Sequence, residues 1–380
     1  MKPKNSPPAP LRSAMAQWGL TVIMLLGLPP VGIVMAGKEL NAYLQFPPLT
    51  GYVEHAPFCW PIFLIYGAVD LLAVLLMVSL LAIAYHRSRN RPHHVQRMPA
   101  WGWLGLSIML TGWLLAWTRM DWFAAWQKHT FILPWFGYIL FVNAWCVRRT
   151  GWSLLTDAPA RFWALFPASS LFWWFFEYLN RFVQNWYYVG VENFSPLEYI
   201  VFASLSFATV LPAVLSTYRL LLGFDLFGQG LKAILAFRFF NHRATATVTL
   251  SASVMGLLLL GLYPDWLYPF LWISPLLVII CLQTLFGRPT ILAPVEHGDW
   301  GPLVAAPLAA LICGFFWEMW NFGSLAHWCY TIPFVDRYHM FAMPILGYGG
   351  YLPFGLECLA IGAMVLGHQC LHIDTARSEK

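Results

Sequence analysis

The sequence predicts an all-α integral membrane protein of about ten transmembrane helices, containing a three-helix unit used twice in parallel. Three observations carry that reading. The 380 residues are 59% hydrophobic and only 10% charged, where a soluble domain of this length carries roughly 25% charged residues. Long apolar runs recur from one end of the chain to the other, which places it among multi-pass membrane proteins. One pattern also occurs twice. Glu177, Asn180, Trp186 and Tyr188 recur as Glu318, Asn321, Trp328 and Tyr330. Both copies read Glu-x-x-Asn and close on Trp-x-Tyr, with one extra residue in the second, the mark of an internal repeat.

The elements follow in order. Residues 1–17 are polar and Pro-rich, with Lys2, Lys4 and Arg12. The first apolar run, Trp18 to Ala36, contains Pro29 and Pro30. A basic head before an apolar run also fits a signal peptide, with Val34-Met35-Ala36 as a poor cleavage site, but the run is long for a signal core and favours an uncleaved helix. Further spans are expected at Cys59 to Tyr85, Trp101 to Trp117, Phe131 to Val147, Phe162 to Leu179, and Tyr199 to Leu222. The segment Gly223 to Arg243 mixes Lys232, Arg238 and Arg243 with apolar residues and reads as an amphipathic surface helix. Four more spans follow at Val248 to Tyr263, Trp266 to Phe286, Pro302 to Trp320, and Tyr351 to Gly367. The glycines at 347, 349 and 350, with Pro353, place the start of the last helix near Leu352.

Ten spans beginning inside put Lys38, Arg119, Lys128, Arg181 and Arg337 outside, and the other 17 of the 22 Lys and Arg residues inside. That bias predicts cytoplasmic N- and C-termini in a bacterial-type inner or plasma membrane. The organisation expected is an N-terminal three-span segment (1–130), a first three-helix repeat (131–222), a cytoplasmic amphipathic segment plus span seven (223–264), a second repeat (265–367) and a cytoplasmic tail (368–380). Leu211-Pro212 and Leu352-Pro353 fall at similar distances after the two Trp-x-Tyr motifs. The two units share an orientation and are related by an axis along the membrane normal.

Chemistry is expected where ionisable groups lie at membrane depth, because such groups are costly unless neutral or paired. Glu177 and Asn180 share a helix face, as do Glu318 and Asn321. Both pairs end spans that run outward, so they meet near the outer leaflet, and Glu357 sits about one and a half turns into the last helix. A buried carboxyl keeps a proton to donate. Such an acid can protonate an alkene, and Trp and Tyr faces stabilise a passing carbocation. The candidate acids are Glu177, Glu318 and Glu357. Asn180 and Asn321 orient them, while Trp186, Tyr188, Trp328 and Tyr330 contact substrate. The structural alternatives are helix capping by the asparagines, pairing of Glu177 with Arg181, an interfacial aromatic belt, and a structural clamp at the two-fold axis. Asp70, well inside the second span, has no basic residue near it in sequence and is either neutral or paired to another helix.

Other classes find no support. Seven scattered cysteines contain no Cys-x-x-Cys, so neither a disulfide framework nor a zinc site is indicated. None of the eleven histidines falls well inside a span, which argues against a bis-histidine haem. There is no phosphate-binding glycine loop, nucleophile elbow or HExxH. The net charge of +5 marks cytoplasmic loops rather than a nucleic-acid partner. The partners expected are the lipid bilayer and a hydrophobic small molecule, with no metal or cofactor.

The three-span unit resembles the membrane-integral lycopene cyclases of the two-subunit or fused type. That family uses small three-span domains twice. Each domain places an acid at the end of its second span, a Trp-x-aromatic about nine residues later, and a Pro-x-Glu-Glu at the opening of the third. Here Glu177 precedes Trp186-Tyr187-Tyr188 by nine residues and Glu318 precedes Trp328-Cys329-Tyr330 by ten. Pro353-Phe354-Gly355-Leu356-Glu357 is similar to the third-span motif. The sequence departs from the pattern in using Glu for the family's usual Asp, and Leu211-Pro212-Ala213-Val214 carries no carboxylate. The resemblance covers roughly 131–222 and 265–367. It implies acid-assisted, cyclase-like chemistry on an isoprenoid or carotenoid-like lipid. The alternative is a non-catalytic membrane carrier, or an assembly or docking subunit of a membrane complex.

Overall fold

Apolar runs that cannot leave backbone groups unpaired in lipid fold as helices, and each of the ten runs is helical in the computed structural model, which describes residues 11–48, 51–88, 96–238 and 242–367. The long helices are α1 (Leu11–Met35), α2 (Trp60–Arg87), α3 (Ala100–Trp117), α4 (Ile132–Thr150), α5 (Pro159–Val183), α6 (Pro196–Phe207), α7 (Val210–Leu222), α8 (Arg243–Leu259), α9 (Pro269–Leu285), α10 (Gly301–Gly323) and α11 (Tyr351–Leu366). Among the described residues, six helical segments are long and apolar enough to cross a membrane: Met15–Met35, Trp60–Arg87, Ala100–Trp117, Pro196–Leu222, Gly301–Gly323 and Ile345–Leu366. The pair Asp121–His129 and Ile132–Thr150 passes the same test only when taken together, and is bent by 71° at the break between them. The chain is thus a mostly helical membrane protein. Helices α8 and α9 are apolar but only 17 residues long. α5 has 25 residues, but Trp, Ser, Pro, Glu and Asn dilute its hydropathy.

Burial separates a rim from a core. The spans α1, α2 and α3 are only 22%, 11% and 22% buried, against 56% for α6–α7, 67% for α10 and 50% for α11. The first three therefore turn most of their surface to lipid. α3 packs on α4 through glycines. A Cβ on Gly137 would stand 2.3 Å from the Met109 nitrogen, so small residues set how closely these helices approach. The core is built from α4, α5, α7, α9, α10 and α11, around buried side chains such as Trp135, Trp320, Tyr218 and Phe354.

The sixth span is broken between Phe207 and Val210. Pro212 falls in the first turn of α7, where a missing N–H is tolerated. Ser169 of α5 bridges the break, its hydroxyl donating to the Phe207 carbonyl (2.6 Å) and accepting from the Leu211 N–H (2.9 Å). α11 begins at Tyr351, one residue from the expected start.

Two expectations are corrected. Residues 223–238 do not form an amphipathic helix. They make one helical turn, Asp225–Gly228, and then irregular chain held by bonds from the Ile234 N–H to the Gly298 carbonyl and from the Phe237 N–H to the Val295 carbonyl. The Trp-x-Tyr segments form short strands, which the all-α reading does not anticipate. β1 (Trp186–Val189) pairs antiparallel with β2 (His327–Tyr330), setting Trp186 opposite Tyr330 and Tyr188 opposite Trp328. Aromatic residues in alternation favour a pleated, half-buried ribbon. Two further two-residue strands, β3 (His339–Met340) and β4 (Met343–Pro344), pair beside it.

Candidate functional site

The ends of α5 and α10, the strand pair and the start of α11 enclose a cavity of about 590 Å³. Its wall is rich in aromatic residues, including Trp173, Trp186, Trp272, Trp317, Trp328 and Phe354. Trp272 stacks on Phe176 at 5.3 Å and Phe354 on Phe172 at 5.8 Å, so the wall is fixed from behind.

Glu177 is fully buried near the end of α5. Its Oε1 accepts hydrogen bonds from Tyr188 Oη (2.6 Å), Trp186 Nε1 (3.1 Å) and Trp173 Nε1 (3.1 Å). Trp173 lies one helical turn earlier, so helix geometry brings it to the same face. Glu318 is fully buried near the end of α10. Its Oε1 accepts from Tyr330 Oη (2.7 Å) and Tyr351 Oη (2.9 Å), while Trp328 Nε1 donates to Tyr330 Oη (2.7 Å). Gly314 makes room for this, because a Cβ there would lie 2.5 Å from the Tyr351 ring. In both carboxyls Oε2 is buried with no hydrogen-bond partner among the described residues. Burial first, then the charge of the adjacent carboxyl, raises the Tyr188 and Tyr330 phenols well above their ordinary value. Both hydroxyls therefore keep their protons.

The asparagines act on the backbone. Asn180 Nδ2 donates to the Trp186 carbonyl (2.8 Å), and its Oδ1 accepts from the N–H groups of Asn185 (2.9 Å) and Trp186 (3.4 Å). Asn321 does the same to Trp328, donating to its carbonyl and accepting from its N–H, each at 2.8 Å. Gln184 ends α5 in the left-handed region (φ 53°), a helix-stopping conformation. Each Asn thus clamps the Trp of its strand, the first residue of β1 and the second of β2, and the strand returns its Tyr to the preceding Glu.

Trp186, Tyr188, Trp328 and Tyr330 line the cavity. The three glutamates and both asparagines stand outside its lining, and the expectation that the asparagines orient the acids gives way to the backbone clamp. Glu357 is buried behind the wall, where its Oε1 accepts from the Leu276 N–H (3.2 Å) beside Pro275 of α9. It ties α11 to α9 and shares no hydrogen-bond partner with Glu177 or Glu318. Arg181 donates to the Tyr43 carbonyl (3.0 Å). Sequence reasoning missed Tyr351, whose bond to Glu318 crosses 33 residues. It also missed Trp173, whose spacing to Glu177 was a usable signal.

Among the described residues, no three His, Cys, Asp or Glu side chains converge as a metal site. Six cysteines are free thiols, and Cys370, His368 and His372 lie outside the described residues. Compared with protein-family models, curated proteins and solved structures, the chain matches none.

Proposed function

We propose that this chain is a multi-pass membrane enzyme performing acid-assisted chemistry on an isoprenoid or carotenoid-like lipid. One observation carries the reading. Two separate buried carboxyls are each bonded to a tyrosine hydroxyl that lines the same aromatic cavity. In this scheme Tyr188 passes its proton to a substrate double bond, and the Glu177 carboxyl resupplies the phenol. The carbocation so formed rests against Trp faces. Tyr330 then takes a proton from the neighbouring carbon while its own passes to the Glu318 carboxylate. The substrate is rearranged with no net proton consumed, and each pair exchanges its proton with water before the two swap roles. Glu357 supports the helices that frame the cavity.

The reading includes ten spans with cytoplasmic termini, supported by the Lys and Arg bias. It also includes duplication of α4–α7 and α9–α11. The contacts pair off in support: α4 with α7 and α9 with α11, α5 with α7 and α10 with α11, α7 with α10 and α11 with α5. Matching Leu211-Pro212 to Leu352-Pro353 sets Ser216 against Glu357. Ser216 Oγ accepts from Asn143 of α4 (2.8 Å), as Glu357 accepts from α9.

A non-catalytic carrier or docking subunit is the second reading, favoured by the placement of the acids behind the wall rather than on it. Lipid extracts separate the two. Cells lacking the protein are compared by mass spectrometry with cells carrying the wild type, the Tyr188→Phe/Tyr330→Phe variant, or Glu177→Gln/Glu318→Gln. The enzyme reading expects one lipid species to accumulate in the null and in both variants. Identical extracts from all four, with the variants inserted at wild-type level, overturn it.

A further inference from the structure

We infer that Asp70 is the polar anchor of the cavity and holds the hydroxyl end of an isoprenoid alcohol. The inference rests on the reading of the cavity as a lipid site and adds the class of ligand. Asp70 and Lys128 are the charged residues of its lining. Asp70 lies ten residues into the 28-residue helix α2, about 15 Å from its start. A carboxyl at such depth is costly without a partner. Among the described residues no hydrogen bond or ion pair reaches it, while it stands on the cavity wall.

The surroundings are shaped for it. Tyr66, Val69, Asp70 and Ala73 form one stripe of α2 on the cavity, at the spacing of a single helix face. The opposite side is lipid-facing, with Leu72 69% exposed. Across from the stripe runs the turn Ile345–Gly350. A Cβ on Gly349 would stand 2.3 Å from Asp70 Oδ1, so the turn admits the carboxyl only because this residue is glycine. Tyr66 and Tyr268 meet edge to face at 6.3 Å, and both line the cavity with Asp70.

These groups select a ligand chemistry. An alcohol O–H donates to the carboxyl, and its lone pairs accept from a phenol O–H. An ammonium has no lone pair for the phenols. A phosphate or carboxylate is repelled by Asp70, and a pure hydrocarbon leaves Asp70 unpaired. The chain of the ligand then runs along the aromatic wall toward Tyr188 and Tyr330.

The test uses the full-length protein in nanodiscs, with tryptophan fluorescence read during titration of geranylgeraniol, geranylgeranyl methyl ether or geranylgeranylamine. The wild type is expected to bind the alcohol about tenfold tighter than the ether, the size of one hydrogen bond to a charged group. Asp70→Ala, and Gly349→Ala, which displaces the carboxyl without removing it, are expected to lose that preference while binding the ether as the wild type does. Equal wild-type affinity for alcohol and ether overturns the assignment and leaves the lipid site standing. Tighter binding of the amine than the alcohol overturns the hydroxyl class. A variant that loses both probes together makes Asp70 structural and also overturns it. Binding of none of the three by the wild type overturns the lipid site itself.

Discussion

At the residue scale, the proposed chemistry depends on a carboxyl backed into protein and a tyrosine that fronts for it. Tyr188→Phe removes one donor to Glu177 and leaves the two indole donors in place. The carboxyl stays partly satisfied, so the fold survives. Product lipid formed per unit of inserted protein is expected to fall about 100-fold, the size of a lost proton-transfer group, as measured by mass spectrometry of membranes at matched protein level. Glu177, Glu318 and the two Trp-x-Tyr motifs were legible in the sequence because they repeat at nearly constant spacing. The direction of their bonding was not. Nothing local shows that the acids sit behind the wall, nor that Tyr351 bonds to Glu318, since that contact depends on how α11 packs on α10.

At the element scale, two devices hold the site. The Asn clamps fix where each helix hands over to its strand. Asn180→Ala leaves the main chain of Trp186 without its side-chain partner, and buried unpaired groups of this kind cost about 1–3 kcal/mol each. A lower midpoint of thermal unfolding in detergent is the expected outcome, and Asn321→Ala is expected to match it. The Ser169 bridge holds the broken span. Ser169→Ala removes both of its bonds and is expected to destabilise by a similar amount, measured the same way. Helix positions were readable because apolar runs in lipid have few alternatives. The strands were hidden because they are four residues long and pair across 140 residues of chain. The irregular course of 223–238 was hidden for a related reason. Mixed basic and apolar residues fit an amphipathic helix, while the actual chain is held by carbonyl partners from the 295–298 turn.

At the scale of the whole molecule, three little-buried helices lie against a packed core, and the cavity is lined by residues of both. The duplication proposed for the core explains why two strands face one space, each with an acid and a clamp behind it. The proposed ten-span topology predicts opposite faces for Ala160, at the start of α5, and Asn193, just after β1. Both residues are exposed. In a background with its native cysteines replaced, Asn193→Cys is expected to react with a membrane-impermeant maleimide added to intact cells. Ala160→Cys is expected to react only after permeabilisation. Labelling of both from outside would contradict the topology and the outer-leaflet placement of the acids.

The measurement that reaches the central claim most directly is solvent deuterium incorporation. Membranes carrying the wild type, or Tyr188→Phe/Tyr330→Phe, are supplied in D2O with lipid extract from cells lacking the protein, and the lipids are followed by mass spectrometry. If Tyr188 and Tyr330 carry the proton transfer, a lipid accumulated in the null is converted, and its product gains one carbon-bound deuterium only with the wild type. Conversion without deuterium, or no conversion of any lipid by the wild type, would contradict the claim.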